Sequence, residues 1–163
     1  MTTLLIENVH LIQNDNLRLG HLLIRDSKIE KVSFEERFSS IQVDQKINGN
    51  GQYLIPGMID VHIHGADGFD MMDGTIESVK AVSIACARTG CTSFLATSVT
   101  SSFEDLEKMI DNVLETVGRE PGAQIVGLHL EGPYLNAKRK GMQNELFLRH
   151  PNLDEMKDLL SKS

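Results

Sequence analysis

Histidines at positions 62 and 64, separated by Ile63 and followed at once by Gly65, are the residues of this chain best spaced for chemistry. They close an apolar run over residues 53–64, YLIPGMIDVHIH. Alternate side chains of a β-strand share a face. A strand over residues 59–64 therefore points Asp60, His62 and His64 the same way. Two imidazoles in register where a strand opens into a glycine loop make half of a metal site. A pair of solvated or hydrogen-bonded surface histidines is the competing interpretation, and for a lone histidine it is the better one. The paired spacing in this setting favours metal.

A second segment supplies the missing ligand type. Residues 124–130 (QIVGLHL) read as another buried strand, and Glu131-Gly132-Pro133-Tyr134 follows directly. Glu131 is then a carboxylate at the carboxyl end of a strand, where α/β barrels and open α/β sheets carry their chemistry. Alone it would count as a solvated loop residue. Beside His129, which shares its strand parity, and ahead of a stiffening Gly-Pro, it becomes a third candidate ligand.

The elements that must position these residues follow from periodicity. Residues 4–12 and 17–24 are β-rich and flank the turn-prone Asn14-Asp15-Asn16, which predicts a hairpin. Residues 28–33 alternate and add a strand, and residues 41–47 add another before the Asn-Gly-Asn-Gly boundary at 48–51. Residues 1–52 thus form a small β module. Beyond it the pattern becomes strand, loop, helix. A strand at 59–64 leads through a loop at 65–74 into a helix at 75–89 closed by Gly90. A strand at 91–97 precedes a polar run. There Ser101 with Glu104 has the spacing of a capping box. It opens a helix carrying Leu106, Ile110, Val113 and Val117 at helical spacing. The strand at 124–130 completes βαβαβ, a parallel sheet covered by helices, and residues 152–161 form a last short helix.

Composition narrows the function classes. The 163 residues carry a formal charge of −7, which disfavours non-specific nucleic-acid binding. The one basic cluster, Lys138-Arg139-Lys140, borders the presumed site and could draw in an anionic substrate. Cys86 and Cys91 make no disulfide framework and suit a reducing cytoplasm. The amino terminus lacks the features of a signal peptide, and no segment approaches a membrane span. A soluble cytoplasmic protein with neither nucleic-acid nor membrane partners is expected.

Three blocks carry a resemblance: PGMIDVHIHG from Pro56, TSFLATSVT from Thr92, and GLHLEGPYLNAKRKG from Gly127. Together they resemble the N-acetylglucosamine-6-phosphate deacetylases, a family of the metal-dependent amidohydrolase superfamily. The HxH strand is shared across the superfamily; the HLEGP block with its KRKG continuation is specific to the deacetylases. The resemblance implies an α/β fold: the amino-terminal part of a (β/α)8 TIM barrel preceded by strands of a small β-sandwich. Residues 53–163 would be its first three β/α units, since a complete barrel takes about 250 residues.

The resemblance further implies a divalent metal ion, zinc or iron, bound through Glu131. His62 and His64 would complete that site or support a second ion; members lacking the pair hold one, and retention of the pair favours a site able to hold two. The family's substrate-contacting pair falls on Met142 and Gln143. Many relatives have histidine at the second position, so Gln143 departs from the pattern. Two later histidine ligands, a catalytic aspartate and an arginine supplied by a neighbouring subunit of a homodimer are expected beyond Ser163. The implied reaction is hydrolysis of the acetamide of N-acetylglucosamine 6-phosphate, in amino-sugar catabolism. The competing expectations are another amidohydrolase, a cyclic amidase or deaminase, and an inactive fragment lacking its proton-transfer group. Parallel strands are normally covered and continued at their edges, so the isolated chain is expected to aggregate, pair or repack.

Overall fold

The computed structural model describes residues 2–35, 38 and 40–162. The chain divides into two compact units, residues 1–56 and 57–163.

In the first unit, β1 (Thr3–Gln13), β2 (Asn16–Arg25), β3 (Lys28–Ser33) and β4 (Gln45–Asn48) form one sheet in the order β3-β2-β1-β4. The hairpin turn falls at Asn14 and Asp15, with φ of 48° and 60°. Both central residues of a tight twisted turn need this left-handed backbone, and Asn and Asp tolerate it. The strand expected over 41–47 forms only at 45–48, because Ile41 and Val43 are drawn instead onto Leu5, Leu23 and Phe38, over one face of the sheet. The other face is an apolar groove of about 640 Å³ lined by Ile6, Ile24, Ile29 and Val32 among others. The sheet extends past the glycine-rich segment at 48–51. The His10 N–H donates to Gln52 O (2.8 Å), and the Leu54 N–H to His10 O (2.9 Å). The division accordingly lies after Pro56 rather than at residue 52.

The second unit contains β5 (Met58–Ile63), a small hairpin of β6 (Gly65–Ala66) and β7 (Phe69–Asp70), α1 (Ile76–Arg88), β8 (Cys91–Thr97), α2 (Phe103–Thr116), β9 (Gln124–His129) and α3 (Leu153–Lys162). Helix α1 starts where Thr75 accepts the Ser78 N–H. Helix α2 is capped by Ser102, whose Oγ accepts the Asp105 N–H at 3.1 Å. The capping box expected from Ser101 and Glu104 is thus displaced by one residue. Ser101 Oγ donates to Asp105 Oδ2 (2.9 Å), which holds that carboxyl below the usual carboxylate range.

Strands β5, β8 and β9 are parallel and lie in sequence order, with β8 central. Val79, Val82 and Cys86 of α1 and Leu106, Met109, Ile110 and Val113 of α2 share one cluster with Phe94, Ala96 and Ile125. Both helices therefore cover the same face of the sheet. The other face is left for the site.

Two slips in register decide what that other face carries. Between Asp60 and Ile63 the β5–β8 pairing advances unevenly, so Asp60 lies opposite Phe94 and Ile63 opposite Ala96. Paired residues share a face, and Phe94 and Ala96 point into the helix-side core. Asp60 therefore does not project with His62 and His64, contrary to strict alternation. It lies near enough to α1 to reinforce the rise of the Cys86 thiol, which burial pushes up to about 11. The second slip, between Phe94 and Leu95, lets Ile125 and Leu128 both pack on the core while Gly127 and His129 lie opposite Leu95 and Thr97.

Helix α3 is tied down by Leu159, which is buried, and by Arg149, whose Nε donates to both Glu155 oxygens at 3.0 Å. Among the described residues, no helix is long and apolar enough to cross a membrane.

Phe94 fills the centre of the helix-side core with no exposed surface. Phe94→Ala is expected to cost about 3–5 kcal/mol, measured by denaturant unfolding. Glu155 gives a pH prediction. Its hydrogen bond to Arg149 depresses its pKa, so it stabilises the fold above its unfolded-state value and ceases to as pH falls through its folded-state value. Glu155→Gln should flatten the acid side of the melting-temperature profile, and an unchanged profile would count against this docking.

Candidate metal centre

The carboxyl end of β8 assembles the site. Thr97 and Ser98, both fully buried, hold the two neighbouring strands in place. Thr97 Oγ1 accepts the Ile63 N–H at 3.0 Å and donates to Leu95 O at 3.1 Å, fixing the segment between the two histidines. The Ser98 N–H donates to His129 O at 3.0 Å, and Ser98 Oγ accepts the Glu131 N–H at 3.1 Å. One dipeptide on the central strand thus sets the height of His62 and His64 on one side and of Glu131 on the other.

The result is a triangle of ligand atoms. His62 Nε2 and His64 Nε2 are 3.0 Å apart, and each lies 3.1 Å from Glu131 Oε2. Donors on a tetrahedral zinc at about 2.0–2.1 Å stand roughly 3.3 Å from one another, so the spacing matches a shared cation. Glu131 Oε2 is buried yet accepts no hydrogen bond, although both imidazole nitrogens are near. A buried carboxylate oxygen without a donor is costly. A cation at the centre of the triangle would remove that cost. Among the described residues this is the one group of three or more His, Cys, Asp or Glu side chains with ligand atoms so close together. Imidazole and carboxylate donors suit zinc, iron and other divalent ions.

His129 faces the site but does not join the triangle. Its Nδ1 lies 3.2 Å from Val61 O, and its ring stands edge-to-face on His62 at 4.8 Å. With His64 also edge-to-face at 4.8 Å, the His62 ring is held on two sides. Met142 is 83% exposed, whereas Gln143, one residue on, is 3% exposed. Gln143 Nε2 donates to Glu131 Oε1 and its Oε1 accepts the Thr100 N–H, each at 2.7 Å. Lys138 and Arg139 are exposed in a short 3-10 turn, while Lys140 Nζ donates to Gln143 O at 3.0 Å. Asp154 is 91% exposed and far from any such role.

Sequence reasoning left Thr97 as the end of a strand and passed over Ser98 and Thr100 as a polar run. A signal was present: a polar stretch leaving the central strand of three must be buried between the flanking loops. Gly132 shows how tight that packing is. Its φ is +81°, and a Cβ there would meet Thr100 Oγ1 at 2.0 Å.

Residues 53–162 match the amidohydrolase family model. The chain belongs to the amidohydrolase family. It is 32% identical over 160 residues to N-acetylglucosamine-6-phosphate deacetylase of Bacillus subtilis (strain 168), covering 95% of this chain and 40% of that protein. The human deacetylase is 34% identical over 160 residues, covering 94% and 38%. A solved structure of the Mycobacterium smegmatis deacetylase, a D267A mutant in complex with N-acetyl-D-glucosamine-6-phosphate, superimposes with a TM-score of 0.79. That match has 26% identity and covers 99% of this chain and 40% of that one. The chain therefore spans about 40% of the length of the curated relatives it matches.

Calorimetric titration with Zn2+ should show saturable binding. His62→Ala or Glu131→Ala should weaken it by more than about 100-fold, beyond what loss of an outer-shell partner costs. Binding unaffected by both substitutions would place the ion elsewhere.

Proposed function

We propose that this chain carries the amino-terminal part of an N-acetylglucosamine-6-phosphate deacetylase active site. The observation that carries the proposal is the convergence of His62 Nε2, His64 Nε2 and Glu131 Oε2 within 3.0–3.1 Å of one another. Similarity to deacetylases over nearly the whole chain supports the choice of substrate. The reaction is hydrolysis of an acetamide, giving glucosamine 6-phosphate and acetate.

The three ligands hold one divalent ion, and both histidines together leave room in the donor set for a second. When bound, such an ion polarises an amide carbonyl and brings the pKa of water toward about 7. The residues of this chain orient and exclude. Glu131 and the imidazoles fix the reacting end of the substrate. Met142, exposed on the loop beyond Glu131, borders the sugar, and Lys138 and Arg139 attract its phosphate. Asp154 and Asp158, on the last helix, are not positioned to move a proton. Proton transfer typically contributes about 10²–10⁴-fold, so a site without such a group would turn substrate over more slowly by that factor.

The architecture we propose is three β/α units of a (β/α)8 barrel. Sequential strand order with both helices on one face supports it, because a doubly wound sheet reverses strand order and covers both faces. The ligands then face the barrel interior at the carboxyl ends of the strands. In the first unit, the open apolar face of the sheet suits a second sheet packed over it as a sandwich.

Zinc-loaded chain should bind N-acetylglucosamine 6-phosphate with perturbation of Met142 and His62 resonances, release acetate at least about 100-fold more slowly than an ordinary enzyme, and ignore cyclic amides. Ammonia release or cyclic-amide hydrolysis would indicate a different amidohydrolase, and acetate release at an ordinary enzymatic rate would refute the absence of a proton-transfer group.

A further inference from the structure

We infer that Gln143 is a positioning residue that orients the Glu131 carboxylate for metal. This rests on the metal reading of the triangle and adds the device that sets its third corner.

The direction of each hydrogen bond is forced. A backbone N–H can only donate, so the atom of Gln143 facing the Thr100 N–H at 2.7 Å is the oxygen. The amide nitrogen is thereby turned toward Glu131 Oε1, also at 2.7 Å. A carboxylate has two equivalent oxygens, and Gln143 makes them inequivalent. Oε1 is occupied by a neutral donor, and Oε2 is left without one, pointing at the two imidazole nitrogens. The chain from Thr100 through Gln143 to Glu131 therefore selects binding through one oxygen.

The side chain is built in. Gln143 is 3% exposed, and the loop that carries it is pinned by Lys140 Nζ on Gln143 O (3.0 Å) and by the Gln143 N–H on Lys140 O (3.2 Å). Its oxygen and one of its two amide N–H donors are engaged, and little of its surface is exposed. Asn is one methylene too short to span both partners.

Gln143→Met keeps the volume and removes both hydrogen bonds. Loss of an outer-shell partner costs about 10–100-fold in metal affinity, so Zn2+ should bind at least about 10-fold more weakly. The Co2+-loaded variant should also show altered ligand-field absorption, which a merely structural role would not change. Zinc binding and a cobalt spectrum identical to those of the unsubstituted chain would overturn the inference while leaving the metal site standing. Failure of the unsubstituted chain to bind zinc would overturn both. Because a variant that failed to fold could mimic lost affinity, a second reading uses the unaltered protein. The Gln143 side-chain amide resonances should shift on Zn2+ addition in step with the His62 and His64 ring resonances. An amide that stays fixed while the rings move would contradict the positioning role.

Discussion

Three atoms with lone pairs, two on imidazoles and one on a carboxylate, are held within 3.1 Å of each other. Among the described residues, the carboxylate oxygen of the three has no hydrogen-bond donor. The surrounding structure enforces that crowding, and a cation bound there would relieve it. The enforcement comes from β8. Its Phe94 and Ala96 anchor it to the helices on one side, and its Thr97-Ser98 end holds the loops of both neighbouring strands on the other. Helix-side packing and site geometry are thus one construction, with the hydrophobic cluster supplying the rigidity that the polar end needs.

The register slips belong to that construction. In a regular β5, the residue two before His62 would share its face and bring a second carboxylate beside the imidazoles. The uneven pairing sends Asp60 to the helix side, where its Oδ1 still accepts the His62 N–H at 3.0 Å. In β9, the slip keeps Ile125 and Leu128 in the core and Gly127 and His129 on the site face. Bulges of this kind re-aim side chains near functional sites. Here they separate the ligand face from the packing face on two short strands.

Much of this was legible beforehand, for reasons that differ by element. The strands at 91–97 and 124–129 and the helix after Thr75 are marked by apolar periodicity and by Gly90, so their placement followed from local signals. His62, His64 and Glu131 were legible because each sits at the end of a strand, where parity and loop onset say where a side chain points. Asp60 was misplaced because a bulge leaves no mark in residue type. Ser102 replaced Ser101 as helix cap because neighbouring serines are equally competent and tertiary contacts choose between them. The role of Gln143 could not be read locally at all. Its partners Thr100 and Glu131 lie 43 and 12 residues away, and only the fold brings them to opposite ends of one amide.

Anomalous X-ray diffraction at the zinc edge from metal-soaked crystals tests the central claim most directly. The account predicts an ion ligated by His62 Nε2, His64 Nε2 and Glu131 Oε2, at about 2.0–2.2 Å from each. An ion held elsewhere, or a triangle that remains empty at saturating zinc while Glu131 Oε2 finds a protein donor, would contradict it.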